Sequence, residues 1–453
     1  MTEPVIHPFP PPDSPVYRTA AGIVLRLRNA GFESYLVGGC VRDMIAGKTP
    51  KDFDIATAAH PDQVMTLFPH SFPIGASFGV VTVVEEKNSF EVATFREERD
   101  YMDGRRPETL RYSRTPEEDV SRRDFTINAL LYDPETFRIV DYTGGLADLR
   151  KGVLRTIGDA RKRFSEDYLR MLRAVRFAVR FRFRPEPEIP AAIRQLASKL
   201  TLLSAERVRD ELNAMLCGPC PDLAFRMLSD IGILAVVLPE IEAMHGVEQP
   251  PEFHPEGDVF EHTMLLLKHI AYPGPEIGWA ALLHDIGKPV SRTVDAEGIA
   301  HFYGHEDVGA GMAEAVLRRL KMPAALIGHV TAAVRNHMRF AAVRKMRQSK
   351  WRRLIADPNF PLELELHRLD CIACHGFLEN YLWLLDRMNE LRETGEPALP
   401  PPLLNGYDLI RRGIAPGPEI GRLLNALRDL QLEGKLLSRA DALKYLENVL
   451  MTK

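Results

Sequence analysis

Leu36-Val-Gly-Gly-Cys-Val-Arg-Asp43, followed by Lys51-Asp-Phe-Asp54, decides how the first part of the chain folds. An apolar strand runs into a Gly-Gly turn, a helix starts at once, and an Asp-x-Asp pair occupies the next extended segment. A helix opened by Gly38 and Gly39 presents free backbone N–H groups to a phosphate, and Arg42 one turn in adds charge. Strand alternation puts Asp52 and Asp54 on one face and Phe53 and Ile55 on the other. Two neighbouring carboxylates are costly unless a cation lies between them, and Mg²⁺ is the ordinary one. A phosphate cradle beside a metal-binding pair suggests nucleotidyl transfer. The bland alternative is a β-turn and a solvated acidic strand end.

At 453 residues the chain is too long for a single core, so several domains are expected. Its 45% hydrophobic and 26% charged content is that of a soluble globular protein. No apolar run approaches bilayer-spanning length and the Pro-rich N-terminus lacks a signal-peptide core, which predicts a cytoplasmic protein with no membrane partner. Five cysteines, an odd number, argue against a secreted disulfide framework. The net charge of −4 does not advertise nucleic-acid binding, so any RNA would need a local basic face.

Residues 1–15, with Pro10, Pro11 and Pro12 in a row, read as an extended, poorly ordered tail. A helical pattern from Tyr17 to Ala30 leads to the strand Ser34–Val37, and Pro61–Phe68 reads as a short helix. Val80–Val84 and Phe90–Phe95 form a hairpin pattern. The charged stretch 96–107 that follows reads as an exposed, mobile loop. Arg122–Ala129 reads as the opening of an amphipathic helix, with Phe125, Ile127 and Leu130 for a core, and Phe137–Val140 as a further strand. Beyond about residue 155 the pattern is helical, apart from a short strand near Ile299–Phe302.

Ser165 reads as the N-cap of a helix beginning at Glu166. Arg170, Arg173, Arg176 and Arg180 share one arc of its wheel, with Arg161, Lys162 and Arg163 just upstream. Too few acids stand near in sequence to pair these arginines, which makes this the basic face that the net charge hides. Guanidinium groups and Asp carboxylates can also read base edges.

Leu36–Asp54, Arg122–Ala129, Asp141–Leu149 and Glu166-Asp-x-x-Arg170 together resemble the ordered motifs of the class II tRNA nucleotidyltransferases, the CCA-adding enzymes. That resemblance implies an α+β chain with a polymerase β-like head of mixed sheet plus helices. It also implies addition of C, C and A to tRNA from CTP and ATP without a nucleic-acid template. By the same resemblance Gly38, Gly39, Arg42 and Arg123 contact the nucleotide, while Asp52 and Asp54 hold Mg²⁺ as the catalytic pair. Asp167 and Arg170 read the base, with Arg173 and Arg176 supporting them or meeting phosphates. The stretch 96–107 resembles the family's flexible loop, which favours CCA or terminal A addition over CC alone. Bacterial poly(A) polymerases share the head, but Pro73–Gly79 lacks the basic signature expected of them.

Residues 186–240 read as a helical neck. Cys217-Gly-Pro-Cys220 spells a redox motif but ends a helix, the wrong place for one, and Cys371-Ile-Ala-Cys374 is a second pair without an evident role. From residue 250 histidines gather: His262, then His284-Asp285 inside an apolar helix, then His305 and His337, with Asp370 further on. Buried polar pairs need partners, and such ligands suit Mn, Fe, Ni, Co, Zn or Mg. The set resembles the HD superfamily of metal-dependent phosphohydrolases. The resemblance makes His262, His284, Asp285 and Asp370 core ligands, with His305 and His337 as candidates for a second metal.

The expected domains are a flexible tail (1–15), the head (16–158), a neck (159–245), an all-α HD domain (246–394), a linker (395–402) and a helical tail (403–453). The competing readings are an A-adding enzyme or poly(A) polymerase and, in another class, an RNA-binding protein with an inactive head.

Overall fold

Leu36 and Val37 are fully buried and pair across an antiparallel register with Ile55 and Asp54, so the motif-bearing turns emerge at one end of a shared ladder. The computed structural model describes residues 4–73, 79–101, 107–250 and 257–451. It divides into two compact units, Met1–Pro239 and Glu240–Lys453.

The first unit carries strands β1 (Val5–Pro8), β2 (Ser34–Val37), β3 (Asp54–Thr57), β4 (Ser71–Phe72), β5 (Val80–Glu85), β6 (Asn88–Thr94), β7 (Arg96–Tyr101), β8 (Pro107–Tyr112), β9 (Leu131–Asp133) and β10 (Arg138–Asp141). Eight of them form one mixed sheet in the order β1-β10-β9-β2-β3-β6-β5-β4, in which β3 and β6 run parallel. The β5–β6 hairpin closes through Glu86 and Lys87, both at positive φ, the mirror-image turn that matches strand twist. Val37, Ala56, Phe95 and Leu131 build a core on the sheet.

Three expectations for this unit change. Residues 5–8 are not a loose tail but an edge strand paired with β10, where Pro8 at the strand end is tolerated. The charged stretch after Phe95 is mostly paired backbone: β7 and β8 form an antiparallel ribbon, since strand pairing satisfies main-chain groups whatever the side-chain charge. The tip of that expected loop, residues 102–106, lies outside the described residues.

Arg122–Ala129 does not open an α-helix. Helix Pro116–Ser121 ends there and only a 3₁₀ turn, Thr126–Asn128, follows. The Asp124 carboxylate accepts from Phe125 N at 2.8 Å and Asn128 Nδ2 at 3.0 Å, a local bonding pattern that competes with helix. After this point come helices Ala160–Glu166, Leu169–Phe181, Ala205–Leu216 and Pro221–Asp230.

The second unit is helical apart from a two-residue strand pair at Thr293–Val294 and Ala300–His301. From Ile277 on, helix Pro275–Leu283 is apolar on every side and buried, with Trp279 at its centre. It is surrounded by helices Val259–Lys268, Ala324–Asn336 and Phe360–Ala373. Leu404, Leu409, Leu427 and Leu446 form a separate small core for the C-terminal helices. No described helix is long and apolar enough to cross a membrane.

Candidate active sites

In the first unit, Gly38 adopts φ +77° and ψ −127°, closed to side chains, and turns β2 directly into helix Gly39–Ile45. A Cβ at Gly38 would stand 3.3 Å from Arg123 Nη1 and 4.0 Å from Asp54 Oδ2, so the glycine lets both approach the turn. Asp54 opens β3 and Asp52 precedes it. Both border a cavity of about 530 Å³ that also meets Gly38, Gly39, Arg42, Arg123, Asp167, Arg170, Arg173 and Arg176. The cavity thus brings together every head residue that the motifs singled out. Burial pushes the Asp54 carboxyl up to about 6, with Asp52 and Glu91 adding to the rise and Arg123 opposing it. Such a pair is relieved by a bound cation, so these residues fit a divalent metal.

The arginine helix differs from expectation. Helix Ala160–Glu166 is capped by Asp159, whose carboxylate accepts from Lys162 N at 2.7 Å, and Ser165 lies inside it. The chain breaks at Asp167 and a second helix, Leu169–Phe181, carries the arginines. Nor are they short of acids. Arg170 pairs with Glu166 at 2.7 Å, Arg173 with Asp124 at 2.7 Å, Arg176 with Glu211 at 2.6 Å and Arg180 with Asp43 at 3.2 Å. Three of these acids lie 35 to 137 positions away in the chain, which is why sequence proximity missed them.

Burial opposes ionisation of Asp124, yet Arg173 and Asn128 hold it down to about 2. Arg170 also donates to the carbonyls of Arg163 and Arg122, which fixes its guanidinium at the cavity wall. Arg42, itself buried, is bound to Asp43 and lies over the rings of Phe177 and Phe181.

Arg207 was not singled out from sequence. From helix Ala205–Leu216 it donates to Asp167 Oδ2 at 2.7 Å, while Asp167 Oδ1 accepts from Leu169 N. A Glu-Arg pair three residues into a predicted helix gives no local signal; only the fold reveals its partner.

In the second unit the imidazoles converge on Asp285. His284 Nε2 lies 3.1 Å and His262 Nε2 3.8 Å from Oδ2, while His305 Nε2 and His337 Nε2 lie 3.4 and 3.7 Å from Oδ1. Asp370 Oδ1 is 3.1 Å from His262 Nε2. His284, His305 and His337 each donate Nδ1–H to a carbonyl three residues earlier, at 2.9, 2.7 and 2.6 Å. A carbonyl only accepts, so each Nε2 is left with its lone pair toward Asp285, as metal ligation requires. Both Asp285 oxygens are buried without an aligned hydrogen bond, although Lys288 Nζ is 2.6 Å away. This donor set fits divalent metal binding, with Asp285 shared by two of the close ligand groups.

Gly287 permits the assembly. A Cβ there would meet His305 O at 2.2 Å and Gly309 N at 2.7 Å, so only glycine allows this turn to pack on helix His305–Arg319. Burial opposes charge on Asp285, but His284 and Lys288 hold it well below the usual carboxylate range. Burial drives His337 down to about 4. His305 goes the other way: burial lowers it, but the Asp285 carboxylate outweighs that.

Cys374 stands on the wall of the same cavity. Its Sγ is 3.6 Å from His262 Nδ1 and 3.6 Å from Asp370 Oδ1, a placement the bare Cys-x-x-Cys spacing did not foretell. All five cysteines are free.

A mixed-sheet head with paired aspartates at a glycine-opened helix, joined to a helical unit with a His-Asp cluster, defines a nucleotidyltransferase carrying a phosphohydrolase-type domain. Comparison with known proteins agrees. Residues 34–155 match the Poly A polymerase head domain, residues 182–244 the "Probable RNA and SrmB- binding site of polymerase A" and residues 259–373 the HD domain.

The CCA-adding enzyme of Lactobacillus helveticus is 30% identical over 442 residues, covering 96% of this chain and 98% of that one. The enzyme from Geobacillus stearothermophilus is 42% identical over 221 residues, a match spanning 49% of this chain and only 54% of that relative. Among solved structures, the Bacillus stearothermophilus CCA-adding enzyme in complex with CTP aligns with a TM-score of 0.72 and 27% identity, covering 97% of this chain and 100% of that one. The Thermotoga maritima CCA-adding enzyme complexed with tRNA shares the fold, with a TM-score of 0.63 at 19% identity. The chain belongs to the CCA-adding enzyme family.

Proposed function

We infer that the Met1–Pro239 unit adds C, C and A to tRNA 3′ ends from CTP and ATP, without a nucleic-acid template. What carries the reading is that Asp52, Asp54, the Gly38–Gly39 helix start and Asp167 all open on one cavity. The free amides of helix Gly39–Ile45, with Arg42 and Arg123, hold the triphosphate. Asp52 and Asp54 would hold Mg²⁺, which when bound would activate the RNA 3′-hydroxyl and stabilise the departing pyrophosphate.

Asp167 reads the base. Cytosine N4 and adenine N6 are both exocyclic amine donors, so one carboxylate acceptor suits C and A alike and disfavours U. Arg207 orients Asp167 through its hydrogen bond to Oδ2. Arg170, held by Glu166 and two carbonyls, reads the base edge beside Asp167, and the paired Arg173 and Arg176 support them.

For the Glu240–Lys453 unit we assign metal-dependent hydrolysis of phosphodiesters or phosphomonoesters. His262, His284, Asp285 and Asp370 would hold one ion, and Asp285, His305 and His337 would hold a second. A metal held there would lower the pKa of a water and so supply the nucleophile. The imidazole-rich set favours a transition metal (Mn, Fe, Co, Ni or Zn) over Mg²⁺. The pinned Nδ1 atoms keep the ligands oriented.

The head, neck, HD domain, linker and tail boundaries at 158, 245, 394 and 402 complete this assignment. A cytoplasmic site of action accords with five free cysteines.

Primer extension with CTP and ATP supplied separately tests the head, using tRNA ending before CC, after CC and after CCA. Failure to add C to any of these RNAs overturns CCA addition, and A incorporation alone marks an A-adding enzyme or poly(A) polymerase. Incorporation of nothing marks an RNA-binding protein with an inactive head. Metal-stimulated hydrolysis of bis(p-nitrophenyl) phosphate tests the second unit.

A further inference from the structure

Between residues 335 and 353 the chain carries eight Lys or Arg and no Asp or Glu, although its net charge is −4. The middle of this run is a 3₁₀ helix, His337–Lys345. With three residues per turn, positions i and i+3 lie above one another. The face His337, Phe340, Val343 is buried. The face Met338, Ala341, Arg344 is exposed, and Met338 and Ala341 border the cavity of about 660 Å³ that holds the His-Asp cluster. Arg344, exposed, continues that stripe one turn, about 6 Å, further along.

Lys345, Arg347 and Lys350 follow, all exposed. Neighbouring cations in the run are spent on Glu363, Glu396 and Asp429. Arg344, Lys345 and Lys350 form no ion pair among the described residues, and the carboxylate facing Arg347, Glu433, is already held by Lys435 at 2.7 Å.

The cavity wall supplies a second, independent feature. Tyr303 and Phe377 border it with 79% and 63% of their surface exposed. Each is braced by a stacked histidine: His301 on Tyr303 at 5.2 Å and 9°, His375 on Phe377 at 4.8 Å and 22°. Large exposed aromatics sit in water with little to pack against, but a flat π-face held in one orientation stacks a nucleobase of any identity. Basic groups that follow a backbone, joined to aromatic platforms, are how single-stranded nucleic acid is held without sequence preference.

We propose that the His-Asp cavity takes the end of a single-stranded RNA rather than a free nucleotide. Arg344, Lys345, Arg347 and Lys350 hold the phosphates upstream of the terminus, and Tyr303 or Phe377 stacks its last base. This deepens the hydrolase reading of the same site and rests on it for the chemistry, though not for the binding.

The test uses the full chain carrying Asp52→Ala, with and without Arg344→Gln, Lys345→Gln, Arg347→Gln and Lys350→Gln together. The probe is a short RNA with a 4-thiouridine at its 3′ end. Photocrosslinks to peptides containing Tyr303 or Phe377 are expected with the parent and should fall at least fivefold in the quadruple variant. The KM for hydrolysis of an RNA 3′-phosphate should rise about tenfold near 0.1 M salt relative to that for bis(p-nitrophenyl) phosphate. The slope of log(kcat/KM) against log salt should shrink by about 3, at roughly 0.7 for each phosphate no longer neutralised. Absence of the crosslinks from the parent, or crosslinks and salt slope indifferent to the four substitutions, overturns the proposal. Crosslinking without any ester hydrolysis would instead remove the hydrolase reading and leave RNA docking standing.

Discussion

Asp54 shows what a single residue costs the fold for the sake of chemistry. Its carboxyl is raised to about 6 from 3.8. A raised acid is bound to its proton more tightly in the folded chain, so the metal-free protein gains stability as pH falls from above 6 toward 3.8 and is penalised above 6. Asp54→Asn should therefore abolish C incorporation yet raise the Tm of the metal-free protein at pH 7.5 by about 2–4 °C. A lowered Tm would show that the carboxylate is not under strain. Proton and metal also compete, so Mg²⁺ affinity in calorimetry should weaken about tenfold per pH unit below 6.

His337 has the opposite sign. Its folded value of about 4 lies below the usual 6.5, so the unfolded chain takes up more protons between them and stability is lost as pH falls from 6.5 to 4. Urea midpoints of metal-free protein at pH 7 and pH 5 should differ, and His337→Gln should shrink the difference.

At the scale of elements, the arginine stripe tests whether charge on a helix is surface or framework. Glu211 is buried and its partner Arg176 is bound at 2.6 Å. Arg176→Ala leaves that carboxylate inside with only Arg173, 4.0 Å away, and should cost about 3 kcal/mol of stability. Adding Glu211→Gln should recover part of the loss in denaturant titration. A purely surface arginine would cost under about 1 kcal/mol.

Elements are also where sequence and fold part company. The strand–Gly-Gly–helix turn and the Asp-x-Asp strand were legible because hydrophobic alternation and glycine punctuation are local. Leu169–Phe181 was legible as a helix but not its start, because Ser165 lies inside a separate short helix capped by Asp159 and the chain breaks at Asp167. Arg122–Ala129 looked helical until Asp124 bonded its own neighbours. Arg207 and Cys374 owe their positions to partners brought close across the fold, for which no short-range pattern exists.

For the whole molecule, the two clusters lie in separate compact units, Met1–Pro239 and Glu240–Lys453. Separate cores should give separable activities. Asp52→Ala should lose nucleotide incorporation and keep ester hydrolysis, and His284→Ala should do the reverse. Equal loss of both in either variant would mean that the two chemistries share a site. Chelation followed by add-back of Mn²⁺, Co²⁺, Ni²⁺, Zn²⁺ or Mg²⁺ singly should restore hydrolysis with transition metals first.

The strand Val5–Pro8 has a consequence for handling this protein. It covers the outer rim of β10, whose main-chain donors and acceptors would otherwise be open to a strand from another molecule. The opposite rim, β4, is only two residues long and offers little to pair with. A version starting after Pro8 would carry an adhesive border from Arg138 to Asp141, and its tendency to self-associate would grow with concentration even though neither candidate site had been touched.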